Sequence, residues 1–508
     1  MVNKKPLREK LFFRLLAAAI FYSLFLTPVF ANNLQMSDSS IVSQDTSSNT
    51  ATIEFDISWD NSWRDFTNYD AVWLFVKYST DGGVTWSHAT LRSSGTNPSG
   101  FSTGSGTSIE IIVPSDKKGC FIERSSSGAG TLDTQSVRIL WDYGYDGISD
   151  DAVKDTGLKI FAMEMVYIPQ GAFYAGDNGT STASLKQGSA DSDPWYIQSE
   201  SAISVQHTTS NGYYYVSGGN DSENSSGDEF VITASFPKGY AAFYVMKYEI
   251  SQGQYADFLN TITSTQASAR FPDQDGNNRH TISGAYPNYA ASKPNRACNY
   301  LSWMDMCAYA DWAGLRPMTE FEFEKSCRGK DITAVNGGLS WGNTSITEAT
   351  TISGVEDGTE TITDSESNCC YNNQTFSGGD GASGPLRAGI FATSTSTRQR
   401  AGATYYGVME CSGNLWERCI TIGNSAGRSF LGTDGDGVLL ANGNASNADW
   451  PGYTAGQGVD GASGAGFKGG SWLETMAGNL AVSNRVKAAL TNSSRGSDYG
   501  GRCVRTAL

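Results

Sequence analysis

The sequence predicts an α+β protein in which a small N-terminal β-sandwich precedes a larger, irregular domain of short strands and a few helices. Three observations carry this. Ile53, Phe55, Ile57 and Trp59 alternate with polar residues, the two-residue period of a strand with one buried face. Trp303, Met306, Cys307 and Ala310 recur instead at helical spacing. The 57 glycines and 12% aromatic residues fit a turn-rich β or mixed protein better than a helical bundle. A length of 508 residues exceeds one ordinary core and is read as two domains.

Residues 1–31 are expected to be a cleaved signal peptide. Lys4, Lys5, Arg8, Lys10 and Arg14 precede the apolar run 15–26, and Pro28 and Ala31 close it. That run is shorter than the roughly 20 residues needed to cross a bilayer, and no later segment is long and apolar enough. The expectation is a secreted or cell-surface protein with no membrane span. Residues 35–160 form the sandwich: a second dense strand spans 72–78, the turn Asp81, Gly82, Gly83 leads to Val84 and Trp86 as a hairpin, and a further strand spans 137–141. Its role is read as a spacer or docking module, with carbohydrate binding through exposed Trp63 or Trp73 as the alternative. From residue 161 to 508 the texture changes. Helices are expected over 251–259 after a Ser cap, over 302–313, and from Thr319 to about Cys327, where Glu322 completes a capping box. Residues 178–230 and 331–400 are loop-rich and read as peripheral insertions.

Charge and composition exclude several functions. A net charge of −16, from 36 Lys and Arg against 52 Asp and Glu, argues against nucleic acid, whose phosphates require clustered positive charge. His88, His207 and His280 lack ligand spacing, so a histidine-based zinc or iron site is not expected. GxSxG occurs at 100–104 and 423–427, but neither copy sits between an apolar strand and a helix. Acidic loops at Asp273, Asp275 and Asn278, and at Asp434 and Asp436, are candidates for Ca²⁺, with a solvated turn as the alternative. Nine cysteines in an exported chain predict some disulfides, with at least one thiol left over.

A series of motifs in order then resembles one family. They are MVYIPQGAFYAGD at 165–177, FYVMKYEISQGQYADFLN at 243–260, the run at 301–329, SGNLWER at 412–418, GGSW at 469–472 and GGRCVR at 500–505. Together they resemble the sulfatase-modifying factor family, which includes the formylglycine-generating enzymes. The resemblance implies an irregular α+β fold related to C-type lectins, with structural calcium. It also implies two copper-binding cysteines three and eight residues past the Ser of GGS, but those positions hold Glu474 and Asn479. Neither supplies the thiolate that Cu(I) selects, so no copper is expected. For calcium it implies Glu417 with the backbone near Ser412, Gly413 and Leu415, and a second site at Asn372 and Asp380. Cys327 and Cys503 match its disulfide positions, but their partners fall on Asn484 and Ala310, leaving Cys307 as a substitute partner for Cys503. Trp416 is read as core.

The last forty residues also resemble the variable region of proteins altered by diversity-generating retroelements, with a fixed frame at 469–472, 477–480, Asn484, Arg485, Arg495 and 500–505. That resemblance makes Leu473, Glu474, Thr475, Val486, Lys487, Ala489, Leu490, Ser494, Ser497 and Asp498 the interchangeable, ligand-facing set. Trp472 and Asn479 complete the expected binding surface. The functional expectation is a non-catalytic binder of an unknown protein or glycan ligand. The alternatives are a formylglycine-generating-type oxidoreductase and a structural subunit of a cell-surface or secretion assembly.

Overall fold

The computed structural model describes residues 33–178, 181–187, 193–206, 213–214, 229–330 and 332–508. The expected signal peptide, His207 and most of the 178–230 insertion lie outside these residues.

The chain is mixed α and β. It opens with the strands β1 (Gln35–Asp45), β2 (Thr50–Arg64) and β3 (Asp70–Ser79), followed by β4 (Ile109–Val113), β5 (Cys120–Arg124) and β6 (Gly128–Trp141). β1, β2 and β6 form one antiparallel sheet, completed by the short strand Ser105–Gly106. Its inward side chains, Ile53, Phe55, Ile57 and Trp59, meet Val72, Leu74 and Val76 of β3 in one apolar core. The strand pattern read from the sequence is therefore present. The turn at 81–83 also connects paired strands, with Ser87 and His88 lying opposite Tyr78 and Lys77.

β3 belongs to a second, nine-stranded sheet. Its order runs Arg316–Pro317, β12 (Cys503–Thr506), β8 (Phe243–Met246), β7 (Gly157–Ile168), β3, β5, β4 and Gly95–Thr96, with Ser87–His88 paired to β3 off this path. The strand β7 runs through the boundary expected at 160/161. It pairs with β3 from Gly157 opposite Ser79 to Val166 opposite Asp70, and with β8 on its other side. All ten residues of β3 are buried, as expected for a strand covered on both faces. Trp73 and Phe75 point away from the front core into a larger cluster built on the helices. Trp73 donates its indole N–H to the Ala313 carbonyl at 2.8 Å and is 0% exposed. This removes Trp73 from the alternative in which an exposed ring binds carbohydrate.

The described residues hold six helices: α1 (Asp150–Val153), α2 (Gln252–Leu259), α3 (Ser264–Arg270), α4 (Trp303–Trp312), α5 (Glu320–Arg328) and α6 (Ser425–Arg428). Ser251, Ser302 and Thr319 each close a full capping box on α2, α4 and α5, satisfying amides that the first turn leaves without partners. α4 seats Trp312 edge-on against Phe75, with ring centroids 5.0 Å apart. A smaller sheet joins β9 (Trp416–Ile420), β10 (Ala465–Lys468) and β11 (Tyr499–Gly500).

The 331–400 insertion is not peripheral. Ala349, Ile352, Phe376, Leu386, Ile390 and Phe391 pack with Leu415 and Trp472 in one buried cluster. Its few apolar residues are spaced far apart among Gly, Ser and Thr, yet they converge under the C-terminal turn.

Candidate functional site

The chain leaves β10 through Gly469 and Gly470, whose φ angles of 90° and 73° suit glycine. A Cβ on Gly470 would stand 2.8 Å from Leu480. This turn delivers Ser471, whose hydroxyl donates to Asp498 at 3.1 Å, and Trp472, whose amide donates to the Asn414 carbonyl at 2.8 Å. The Trp472 ring is 2% exposed and donates its indole N–H to the Ser497 carbonyl, so it is a wall of the core and presents no face to a ligand.

Glu474 and Asn479 follow and meet each other. The Asn479 side-chain amide donates to Glu474 Oε2 at 2.7 Å. Glu474 Oε1 accepts from the Trp416 indole at 3.0 Å and from Lys487 Nζ at 3.3 Å, and the same ammonium sits 4.5 Å above the Trp416 ring. The insertion reaches this cluster too, because the Asn372 amide donates to the Glu474 carbonyl at 2.7 Å. The result is a polar cluster in which both carboxylate oxygens hold hydrogen bonds. It can orient side chains and recognise a polar ligand at its rim, and it holds no cysteine.

The rest of the expected surface divides. Leu473 and Thr475 are exposed, and Val486, Lys487, Leu490 and Ser497 are half-buried. Asp498 is buried, and burial raises its carboxyl above the usual range while Lys487 opposes the shift. Ala489 is buried as well. Sequence reasoning missed Met476, which is 66% exposed beside Leu473. Its signal was a large apolar residue next to the small, polar frame residues 477–479.

Residues 156–507 match the family described as "Sulfatase-modifying factor enzyme 1-like domain". The chain belongs to this family. Over 127 residues it is also 30% identical to a formylglycine-generating enzyme of Thermomonospora curvata, a stretch covering 25% of this chain and 34% of that enzyme. The chain thus spans about a third of the length of this curated relative.

The side chains that the sulfatase-modifying factor resemblance assigned to calcium hold partners within the protein. Glu417 forms a two-pronged pair with Arg502, Nε to Oε2 at 2.6 Å and Nη2 to Oε1 at 2.7 Å, with both side chains 0% exposed. Both Glu417 oxygens face the Arg502 guanidinium, so the charge of this carboxylate is already compensated in this arrangement. The Ser412 hydroxyl donates to the Leu480 carbonyl, and its own carbonyl accepts from the Cys369 thiol. The Gly413 amide donates to Gly469, and the Leu415 amide to Glu249. Asn372 donates to Glu348 at 2.8 Å. Asp380 bridges Arg279 and Arg296 at 2.6 Å each, beside Glu356. Among the described residues no group of three or more His, Cys, Asp and Glu is placed to hold a metal.

All nine cysteines are buried thiols. Cys307 and Cys503 share one buried cluster, and Cys327 and Cys411 share another. His88 and His280 are structural: His88 stacks on Phe75, and His280 Nδ1 meets the Asn299 side chain at 2.9 Å.

Proposed function

We propose that this sulfatase-modifying factor relative is an exported, non-catalytic ligand-binding protein. The observation that supports it most directly is the Glu474–Asn479 hydrogen bond, made by the two residues at the family's copper-binding positions. Hard oxygen and amide groups, already satisfied by Trp416 and Lys487, replace the soft thiolates that Cu(I) selects. Around this cluster, Leu473, Thr475 and Met476 offer exposed apolar and polar contacts on a backbone fixed by the core beneath Trp472. A surface held this way loses little entropy when a protein or glycan ligand binds. In this reading the front sheets are a β-sandwich module, and residues 161–508 adopt a C-type-lectin-like arrangement. Export rests on the N-terminal basic and apolar segment.

The test pairs the parent with a Glu474→Cys/Asn479→Cys variant. Each is offered Cu(I) in competition with a chelator, then a cysteine-containing peptide under oxygen. The parent is expected to leave copper with the chelator and the peptide unchanged by mass spectrometry, while the variant retains copper. Conversion of peptide cysteine by the parent would make it an oxidoreductase and end this reading. A near-copy of the segment encoding residues 469–505 in flanking DNA would further mark the surface as diversified.

A further inference from the structure

A cleft of about 750 Å³ lies where the front sheets meet the loops of the sulfatase-modifying factor part, and it shares no residue with the Glu474 cluster. That volume is within the range of pockets that enclose small ligands. One wall is the end of β2 and the turn after it, carrying Asn61, Trp63, Asp65 and Asn68; the other includes Lys247, Tyr248 and the segment around Tyr405. Asp65 fixes the turn by accepting from the Thr67 and Asn68 amides. The Asn68 side chain then donates to the Tyr406 carbonyl at 2.7 Å and ties the two walls together.

Aromatic rings gather at the opening. Trp63 is half-buried, with Lys247 Nζ 4.8 Å from its ring centre, and Lys247 is held in turn by Glu164 at 3.6 Å. Tyr405 is 39% exposed, and Phe66, between the lining residues Asp65 and Asn68, is fully exposed. Neutral donors and acceptors, Asn61, Thr359 and Thr361, line the same space. The Tyr248 hydroxyl, also at this wall, makes no hydrogen bond among the described residues. Flat rings alternating with amides and hydroxyls complement a ligand whose C–H faces alternate with its own hydroxyls.

The charge of the cleft narrows the chemistry. Lys247 has Glu164 as its partner, and Arg387 has Glu360 at 3.4 Å. Arg398 instead donates to the carbonyls of Ser340, Ala403 and Cys327, stacks 5.7 Å from the Tyr405 ring centre, and has no carboxylate partner among the described residues. A guanidinium left without a counter-charge in a partly buried wall favours an anionic group, and its Nη1, which holds none of these three bonds, can donate to one carboxylate oxygen. We infer that this cleft binds a carboxylated oligosaccharide, with sugar faces against Trp63 and Tyr405 and a carboxylate toward Arg398. The inference does not depend on the reading of the C-terminal surface.

The experiment titrates the mature full-length chain with a galacturonate trimer, its methyl ester and a hyaluronan tetrasaccharide, following tryptophan fluorescence and calorimetry. At least one acidic saccharide is expected to bind, with the uncharged ester about tenfold weaker, the equivalent of one lost charge-assisted contact. Tyr405→Ala removes an exposed ring and should weaken binding while leaving the Tm in place. Arg398→Gln should bring acid and ester to equal affinity. Binding of neither acidic saccharide, equal binding of acid and ester by the parent, or indifference to Tyr405→Ala would overturn the assignment.

Discussion

Replacing Arg502 with Met removes a cation from a site that concentrates negative charge. Arg502 and Glu417 are both 0% exposed, and Glu249 and Glu410 are buried close by, each acting on the same guanidinium. Arg502 also donates to the carbonyls of Met246, Lys247 and Met409 at 3.2, 3.1 and 2.8 Å. Breaking a buried pair by removing one partner costs about 3–5 kcal/mol, because a desolvated charge is left behind. Three abandoned carbonyls push the loss toward the upper end. Replacing both partners, as Arg502→Met/Glu417→Leu, removes the stranded charge and should recover more than half of the loss. The assay is denaturant unfolding of the parent, both single variants and the double variant, analysed as a mutant cycle. A single-variant cost below about 1 kcal/mol, or a double variant that loses the sum of the singles, would refute the reasoning.

Millimolar Ca²⁺ should leave the parent's Tm where a chelator leaves it, because Arg502 takes both Glu417 oxygens; a rise of several degrees would place a cation there. Lys77 is buried, and burial pulls its ammonium down from 10.5 to about 7. The folded state therefore holds fewer protons than the unfolded chain between those values, so this group's contribution to stability rises with pH from about 7 to 10.5. Lys77→Met should flatten that rise in unfolding midpoints taken across the window. Asn479→Asp places a second carboxylate against Glu474 and should cost about 1–3 kcal/mol at neutral pH, measured as a lowered unfolding midpoint. Protein folded in an oxidising compartment should yield a Cys327–Cys411 cross-link on non-reducing peptide mapping, since both thiols sit in one buried cluster.

Much of this was legible from local signals. Ser251 announced its helix as a cap, the helix at 302–313 showed in the spacing of Trp303, Met306, Cys307 and Ala310, and Thr319 with Glu322 announced a third as a capping box. The same signature at Thr263 and Gln266 caps α3 and went unread, because that short helix lacks a long apolar stripe. The register that puts Glu474 and Asn479 at the copper positions came from motif spacing alone. Their contact with Trp416 and Lys487 did not, since it depends on β9 and a distant loop arriving together. The peripheral reading of the 331–400 insertion and the alternative of an exposed Trp73 failed for one reason: burial there comes from separate elements, Ala313 over Trp73, and Leu415 and Trp472 over the insertion.

The strand β7 has a practical consequence. Ten of its residues, from Gly157 to Val166, lie in register against β3, so the front module acts as a permanent neighbour that completes the family domain's sheet. A truncation that discards residues 33–156 would not liberate a tidy catalytic-type domain. It would bare a long row of unpaired amides and carbonyls, the template on which chains pair with one another and aggregate. Anyone expressing this protein in pieces should therefore keep the front module attached, since the two parts were annealed along that strand.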